Sequence, residues 1–229
     1  MSQSTAGLRQ ERREVKYNFD EVIDRSKNRS AKYDEREKKF GRKDVIPLWI
    51  ADMDFKTAQP IIDAVKAKAE EGIWGYTSRP ASYYEAVCGW QKRRNGWEID
   101  KSKISFSLGV VPTLSSIVEV FTEPGDKVLI QTPVYSEFYD VTEGWGREVV
   151  ESPLVETDGN WSVDFEDFEE KVKQAKIFFL CSPHNPLGIV WEREQLTRLC
   201  EICIKNHVLI VSDAVSYTHL RAHETSLHL

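Results

Sequence analysis

The sequence predicts an α/β fold, a mostly parallel sheet sandwiched by helices. Three observations predict it. Short apolar runs recur at Val128-Leu129-Ile130, Ile177-Phe178-Phe179-Leu180 and Val208-Leu209-Ile210-Val211. Each run is continuous rather than alternating, which suits strands buried on both faces. Amphipathic stretches separate the runs, and helices crossing over between strands make such a sheet parallel.

The elements follow in chain order. Residues 1–44 are polar and charged and read as an arm, and residues 45–55 form a short apolar segment. A helix is expected from Gln59 to Glu71, stopped by Gly72, with Ile61, Ile62, Val65 and Ala69 as its apolar stripe. A second runs from Ala81 to Arg94 and stops at Asn95-Gly96. Residues 104–108 read as a strand, and 112–121 as a helix opened by Pro112. Then come a strand at 127–132, a helix over 135–143 and a strand at 147–153. Asp164 caps a helix over 164–175. A strand at 176–182, a helix over 192–206 and a strand at 207–213 complete the pattern.

Composition narrows the function classes. The 229 residues give room for about one to two domains and a sizeable core. With 31 basic against 37 acidic residues the net charge is −6, and no Lys/Arg block stands out. That removes the electrostatic footprint of a nucleic-acid or anionic-membrane partner. No apolar run approaches the ~18 residues of a membrane span, and the first residues hold no apolar stretch of a signal peptide. Four cysteines are too few for a disulfide framework, so a reducing, cytoplasmic setting is expected. Cys200 and Cys203 form a C-x-x-C, but they share a helical face with Leu196, Leu199 and Ile204, and core packing is the expectation.

In a parallel α/β sheet, ligands bind at the carboxyl ends of the strands. Four such ends carry unusual residues. Gly109-Val110-Val111-Pro112 leads from a strand into a helix start, where free N–H groups could hold a phosphate or simply make a turn. Tyr135 follows Thr132-Pro133-Val134 and could stack on a planar ligand or fill a rim. Asn185 sits in Ser182-Pro183-His184-Asn185-Pro186-Leu187-Gly188, whose prolines aim its amide or merely make the turn. Asp213 ends an apolar strand, and a buried carboxylate there needs a partner, whether a ligand cation, a helix N-terminus or an Arg.

Taken in order, these motifs resemble the fold-type I pyridoxal-phosphate enzymes of the class I/II aminotransferase group. The segments Trp49-Ile50-Ala51-Asp52-Met53-Asp54-Phe55 and Trp74-Gly75-Tyr76-Thr77 resemble the MalY/PatB branch, whose members are cystathionine β-lyase-like C–S lyases. The resemblance covers residues 15–213. It implies pyridoxal 5′-phosphate as cofactor and a homodimer with shared sites. It also implies roles for single residues. Val110 and Val111 would offer N–H groups to the phosphate, Tyr135 would stack on the pyridine ring, and Asn185 would bond its phenolic oxygen. Asp213 would pair with the ring nitrogen and serve as the catalytic residue. Tyr76 would reach the phosphate of a neighbouring subunit, and Ala51 would approach the substrate carboxylate. The implied reaction releases a thiol, pyruvate and ammonia from cystathionine or a cysteine conjugate. An aminotransferase of the same fold, a regulatory binding protein and a plain α/β domain are the alternatives.

The resemblance stops at Asp213. The branch continues with Glu-Ile-His or a close variant, whereas here AVSYTHLRAHETSLHL follows. Residues 214–229 therefore read as a non-native tail resembling translated adapter sequence. Its His219, His223 and His228 are not taken as a metal site, and no metal is expected. The domains expected are an arm and the start of a small domain over 1–55, and an incomplete large cofactor-binding domain over 56–213. The lysine that would anchor the cofactor and the Arg that would bind substrate are expected beyond the break. The chain as written is expected to be a truncated fragment, poorly folded and inactive.

Overall fold

Polar and charged residues crowd the start of the chain, and its order there comes from ion pairs more than from apolar contact. The computed structural model describes residues 17–25 and 27–215. Two short helices, α1 (Ala31–Asp34) and α2 (Arg36–Phe40), end at Gly41, whose φ of 70° suits glycine. Arg25 bridges Asp52 at 2.7 Å and Asp54 at 2.6 Å. Lys32, only 5% exposed, reaches Asp54 at 3.0 Å and the Asp52 carbonyl at 2.8 Å. Trp49 Nε1 donates to Lys32 O. These contacts fold residues 49–54 back onto α1. Helix α3 (Gln59–Glu70) carries a proline in its first turn and is followed by Gly72 at φ 64°. Its expected apolar stripe is not buried. Ile61 is 57% and Val65 64% exposed, and Ala69 is exposed too. Helical spacing fixes which residues share a face, and it does not supply a covering surface.

The backbone divides into two compact units, Met1–Ser78 and Arg79–Leu229. The second opens with α4 (Ala81–Asn95), closed by Gly96 in a left-handed conformation. It continues through α5 (Val110–Phe121), β1 (Lys127–Ile130), α6 (Glu137–Glu143) and β2 (Glu148–Glu151). A hairpin of β3 (Val155–Thr157) and β4 (Asn160–Ser162) follows, then α7 (Phe165–Lys171), β5 (Ile177–Cys181), α8 (Arg193–Lys205) and β6 (Leu209–Asp213). Strands β2, β1, β5 and β6 form a four-stranded sheet in that order, and every pairing is parallel. The Asp164 carboxylate accepts from the amides of Glu166 and Asp167 and so starts α7.

Alternate residues of a strand point to opposite faces, so β1 and β5 feed two cores at once. On one face Leu129, Phe168, Phe178, Leu199 and Cys203 cluster, which brings in α7 and α8. On the other, Leu114, Val118, Ile130, Phe138, Ile177 and Phe179 cluster, which brings in α5 and α6. This is the expected sandwich. Cys203 is fully buried, and burial pushes its thiol up to about 12. Cys200 is half-buried, and both are free thiols. Ile204 departs from the expected face and is 69% exposed.

Two further expectations fail for physical reasons, and one element is additional. Residues 104–108 form no strand; Ile104 is extended, but Phe106 and Leu108 are exposed and no described strand pairs with them. A strand exists only through its ladder, and β-propensity cannot create a partner. Strand β6 is not buried on both faces, because it lies at the sheet edge with Leu209 exposed and Ile210 and Val211 half-buried. The β3–β4 hairpin was not expected at all. Its turn is Asp158-Gly159, with φ values of 51° and 79°, a pair that a tight two-residue hairpin favours.

Candidate functional site at the carboxyl ends of the strands

Because all four strands run the same way, their carboxyl ends gather at one rim of the sheet. Asp213 ends β6 directly opposite Cys181, which ends β5. The ladder continues one step into the turn, where Ser182 N donates to Asp213 O at 3.1 Å. The Asp213 side chain is mostly buried, at 9% exposure, and its Oδ1 accepts from Val215 N at 2.9 Å. Among the described residues no Lys, Arg or His forms an ion pair with it. A buried carboxylate without a cation is costly, so this position is suited to a cationic ligand group.

Tyr135 and Cys181 surround that carboxylate. Burial first, then Glu137 and Asp213, pushes the Tyr135 phenol above its ordinary range. Burial pushes the Cys181 thiol up, and Asp213 adds to it. Both side chains therefore sense the Asp213 charge. Tyr135 stands edge-on to Phe138 at 6.1 Å and remains half-buried, which leaves part of the ring free. The 182–188 turn is tightly bonded. Asn185 N donates to Cys181 Sγ at 3.3 Å, His184 N to Ile189 O at 2.7 Å and Gly188 N to His184 O at 2.7 Å. Asn185 itself is exposed, with its side chain available.

Helix α5 adds an open helix N-terminus. It begins at Gly109 with no side-chain cap. The hydroxyls of Ser107 and Thr113 both donate to Gly109 O and so satisfy none of the first amides. The N–H groups of Val110 and Val111 are left as orphan donors, with the positive end of the helix dipole behind them. Val111 packs against the same core as Tyr135 and Cys181. Val110, Val111, Tyr135, Asn185 and Asp213 all lie in the second unit, with Tyr135, Asn185 and Asp213 at or just after strand ends of its sheet. Tyr76 and Ala51 lie in the first unit, and both are exposed. The histidines of the tail lie outside the described residues.

The family model for aminotransferase class I and II matches residues 43–221. The chain belongs to this family. Cystathionine beta-lyase PatB of Bacillus subtilis is 44% identical to this aminotransferase-family chain over 200 residues, which cover 86% of the chain and 52% of PatB. Protein MalY of Escherichia coli is 30% identical, over 87% of the chain and 52% of MalY. The crystal structure of a pyridoxal-phosphate-bound C–S lyase from Staphylococcus hominis superposes with a TM-score of 0.79 at 34% identity, over 88% of this chain and 52% of that one. The chain spans about half the length of the relatives it matches.

The donor set fits pyridoxal phosphate. An open helix N-terminus suits its phosphate, a half-free aromatic face suits its ring, and a buried carboxylate lacking a cation suits its ring nitrogen. Sequence reasoning missed two members of this rim. Cys181 seemed only a strand residue, and its contact with Asn185 N depends on the turn folding back. By sequence His184 is either a ligand contact or a plain turn residue, and in the structure it is 1% exposed. Its neighbour pattern, two prolines around His-Asn, was the available signal.

Proposed function

We propose that the chain is the cofactor-holding part of a pyridoxal-phosphate-dependent C–S β-lyase. Its substrates would be cystathionine and related cysteine conjugates, and its products a thiol, pyruvate and ammonia. The observation that carries the reading is the buried Asp213 carboxylate, which ends β6 with no ion-pair partner among the described residues. When bound, pyridoxal phosphate supplies an electron sink for charge developing at the substrate α-carbon. The residues of this chain hold and orient it. The Val110 and Val111 amides bind the phosphate, Tyr135 lies against the ring, and the Asn185 amide donates to the phenolic oxygen. Asp213 holds the proton on the ring nitrogen. In a homodimer Tyr76 would serve the phosphate of the neighbouring subunit, and the Ala51 backbone would meet the substrate carboxylate. Residues 56–213 would then be the large domain and 1–55 the arm and start of the small one.

The preference for a lyase rests on the names of the relatives, above all PatB at 44% identity. Aminotransfer is the second reading, favoured by the description of the matched family itself. The setting we propose is the cytoplasm. Among the described residues no helix is long and apolar enough to cross a membrane.

The turns at 131–136, 152–154, 182–188 and 214–215 contain no lysine. We therefore expect the 229-residue chain to bind pyridoxal phosphate reversibly and to release no pyruvate from cystathionine. A fluorescence titration with pyridoxal phosphate and a pyruvate assay test both statements. Joining residues 1–213 to the second half of PatB should restore pyruvate release. Keto-acid-dependent amino transfer by that chimera, without pyruvate, would favour the second reading.

A further inference from the structure

We propose that His184 is a positioning residue, whose imidazole clamps the turn carrying Tyr135 to the turn carrying Asn185. The proposal deepens the cofactor reading above and rests on it. Its basis is the bonding of two neighbouring turns. The turn after β1 is fixed on its β2 side by Thr132 N donating to Ser152 O at 3.3 Å and Leu154 N donating to Thr132 O at 2.8 Å. The next carbonyl, Pro133 O, lies 2.9 Å from His184 Nε2 across the sheet rim. A carbonyl only accepts, so Nε2 carries the hydrogen and donates. This bond joins the β1 turn to the β5 turn two residues before Tyr135 and one residue before Asn185.

The rest of the ring is held as a clamp requires. It stands edge-on to Trp191, with centroids 5.5 Å apart, and Trp191 Nε1 donates to Cys181 O at 3.1 Å. His184 N and O are both bonded within the turn, to Ile189 O and from Gly188 N. The ring therefore has little freedom to leave Pro133. Nδ1 is buried and makes no hydrogen bond of good geometry among the described residues, and the pull of the nearby Cys181 carbonyl toward protonation is outweighed by burial. With Nε2 as donor, Nδ1 carries only a lone pair, and the ring stays neutral. Burial favours the same form by lowering the imidazole below its ordinary 6.5. A residue needed only for filling space would require no donor at Nε2, and a buried aromatic would serve as well. The two turns whose side chains would hold the proposed cofactor ring are thus tied directly to each other by this hydrogen bond.

Two variants separate the bond from the ring. H184F keeps an aromatic against Trp191 and leaves Pro133 O without its donor. H184Q keeps an N–H at similar reach. Hydrogen exchange of the cofactor-free chain should be followed at Phe138 and Tyr139, whose amides donate to Tyr135 O at 3.2 Å and Ser136 O at 3.0 Å. H184F should speed exchange there about fivefold, the order expected for losing one part-buried hydrogen bond. It should also weaken pyridoxal phosphate binding about tenfold and alter the induced circular dichroism of the bound chromophore. H184Q should return all three toward the wild-type values. Faster exchange confined to residues 182–189 in H184F would overturn the clamp, and so would an H184Q variant as impaired as H184F. One measurement needs no variant. Nitrogen chemical shifts of His184 in the wild type should report the Nε2–H tautomer, and the Nδ1–H tautomer would overturn the proposal even if H184F fails to fold. If the wild-type chain does not bind pyridoxal phosphate, the cofactor reading falls and the positioning role with it. The exchange data would then still show whether the clamp exists.

Discussion

The two units of the chain are ordered by different physics. In residues 17–78 the buried described residues are Ser30 at 8%, Lys32 at 5% and Pro47, and the polar pair is anchored by Arg25, Asp52 and Asp54. The large apolar residues there, Ile46, Leu48, Ile61, Val65 and Trp74 among them, are exposed. In residues 79–215 two apolar clusters enclose the sheet, and Val128, Leu129, Ile130, Ile177 and Phe178 are fully buried. Hydrophobic burial carries no charge to screen or titrate, so the apolar clusters themselves answer less to moderate salt than ion pairs do. A polar cluster, half open to water, depends on charge and is screened. The unit that carries Tyr135, Asn185 and Asp213 is the one with the apolar foundation.

The largest expected effect breaks that foundation. Phe178 is fully buried in edge-on contact with Phe168 at 4.9 Å. Phe178→Ala should cost about 3–5 kcal/mol of the second unit's stability, through lost burial and a cavity. A urea melt followed by tryptophan fluorescence checks it, and a loss below half that range would mean that the cluster collapses around the gap.

How far the sequence could be read follows the same division. Strands β1 and β5 were legible because continuous apolar runs have one good solution, burial on both faces. The cap at Asp164 and the helix stops at Gly72 and Gly96 were legible because each rests on local backbone chemistry. Positions 135, 185 and 213 do follow or end the strands β1, β5 and β6, so looking where strands end led to them, whereas 110–111 follow no described strand. What could not be read depends on distant partners. Lys32 and Arg25 meet Asp54 across more than twenty residues, and no periodicity marks such a meeting. The strand expected at 104–108 lacks a neighbour. The stripe on α3 lacks a cover. The burial of His184 depends on Trp191 and Pro133, one of them on another strand end. The hairpin at Asp158-Gly159 differs from these, since its dipeptide is a strong local signal that was passed over.

A smaller effect sharpens the contrast from the polar side. Lys32→Met should loosen the first unit by about 1 kcal/mol, since the ion pair with Asp54 is half open to water and Arg25 remains as a second partner. Faster hydrogen exchange at the amides of residues 33–35 would show it. An unchanged or more protected α1 would mean that the stem of Lys32, rather than its charge, holds the unit.

The smallest effect is in pH, and the two units should respond in different windows. The Asp54 carboxyl is held below its ordinary 3.8, chiefly by its hydrogen bond from Arg25 and then by Lys32. A depressed carboxylate adds stability above the unfolded value, and that stability is lost as pH falls through the folded one. The first unit should therefore weaken only below about 3.8. His184 is also depressed, from 6.5, by burial. Between its folded value and 6.5 the unfolded state binds the proton and the folded state does not, so stability rises with pH across that interval. Acid should thus weaken the second unit first. Melts from pH 7 to pH 3 at constant ionic strength, with site-resolved exchange, separate the two windows, and a first unit that loosens near pH 6 would undo the assignment.

The account stands on the buried carboxylate at the end of β6. The measurement that tests it most directly is the affinity for pyridoxal phosphate of the wild-type chain and of Asp213→Asn, which keeps the acceptor for Val215 N and removes the charge. Losing a charged partner in a buried site should weaken binding about tenfold or more. Equal affinity in the two proteins would contradict the claim that Asp213 is the partner of a cationic ring nitrogen.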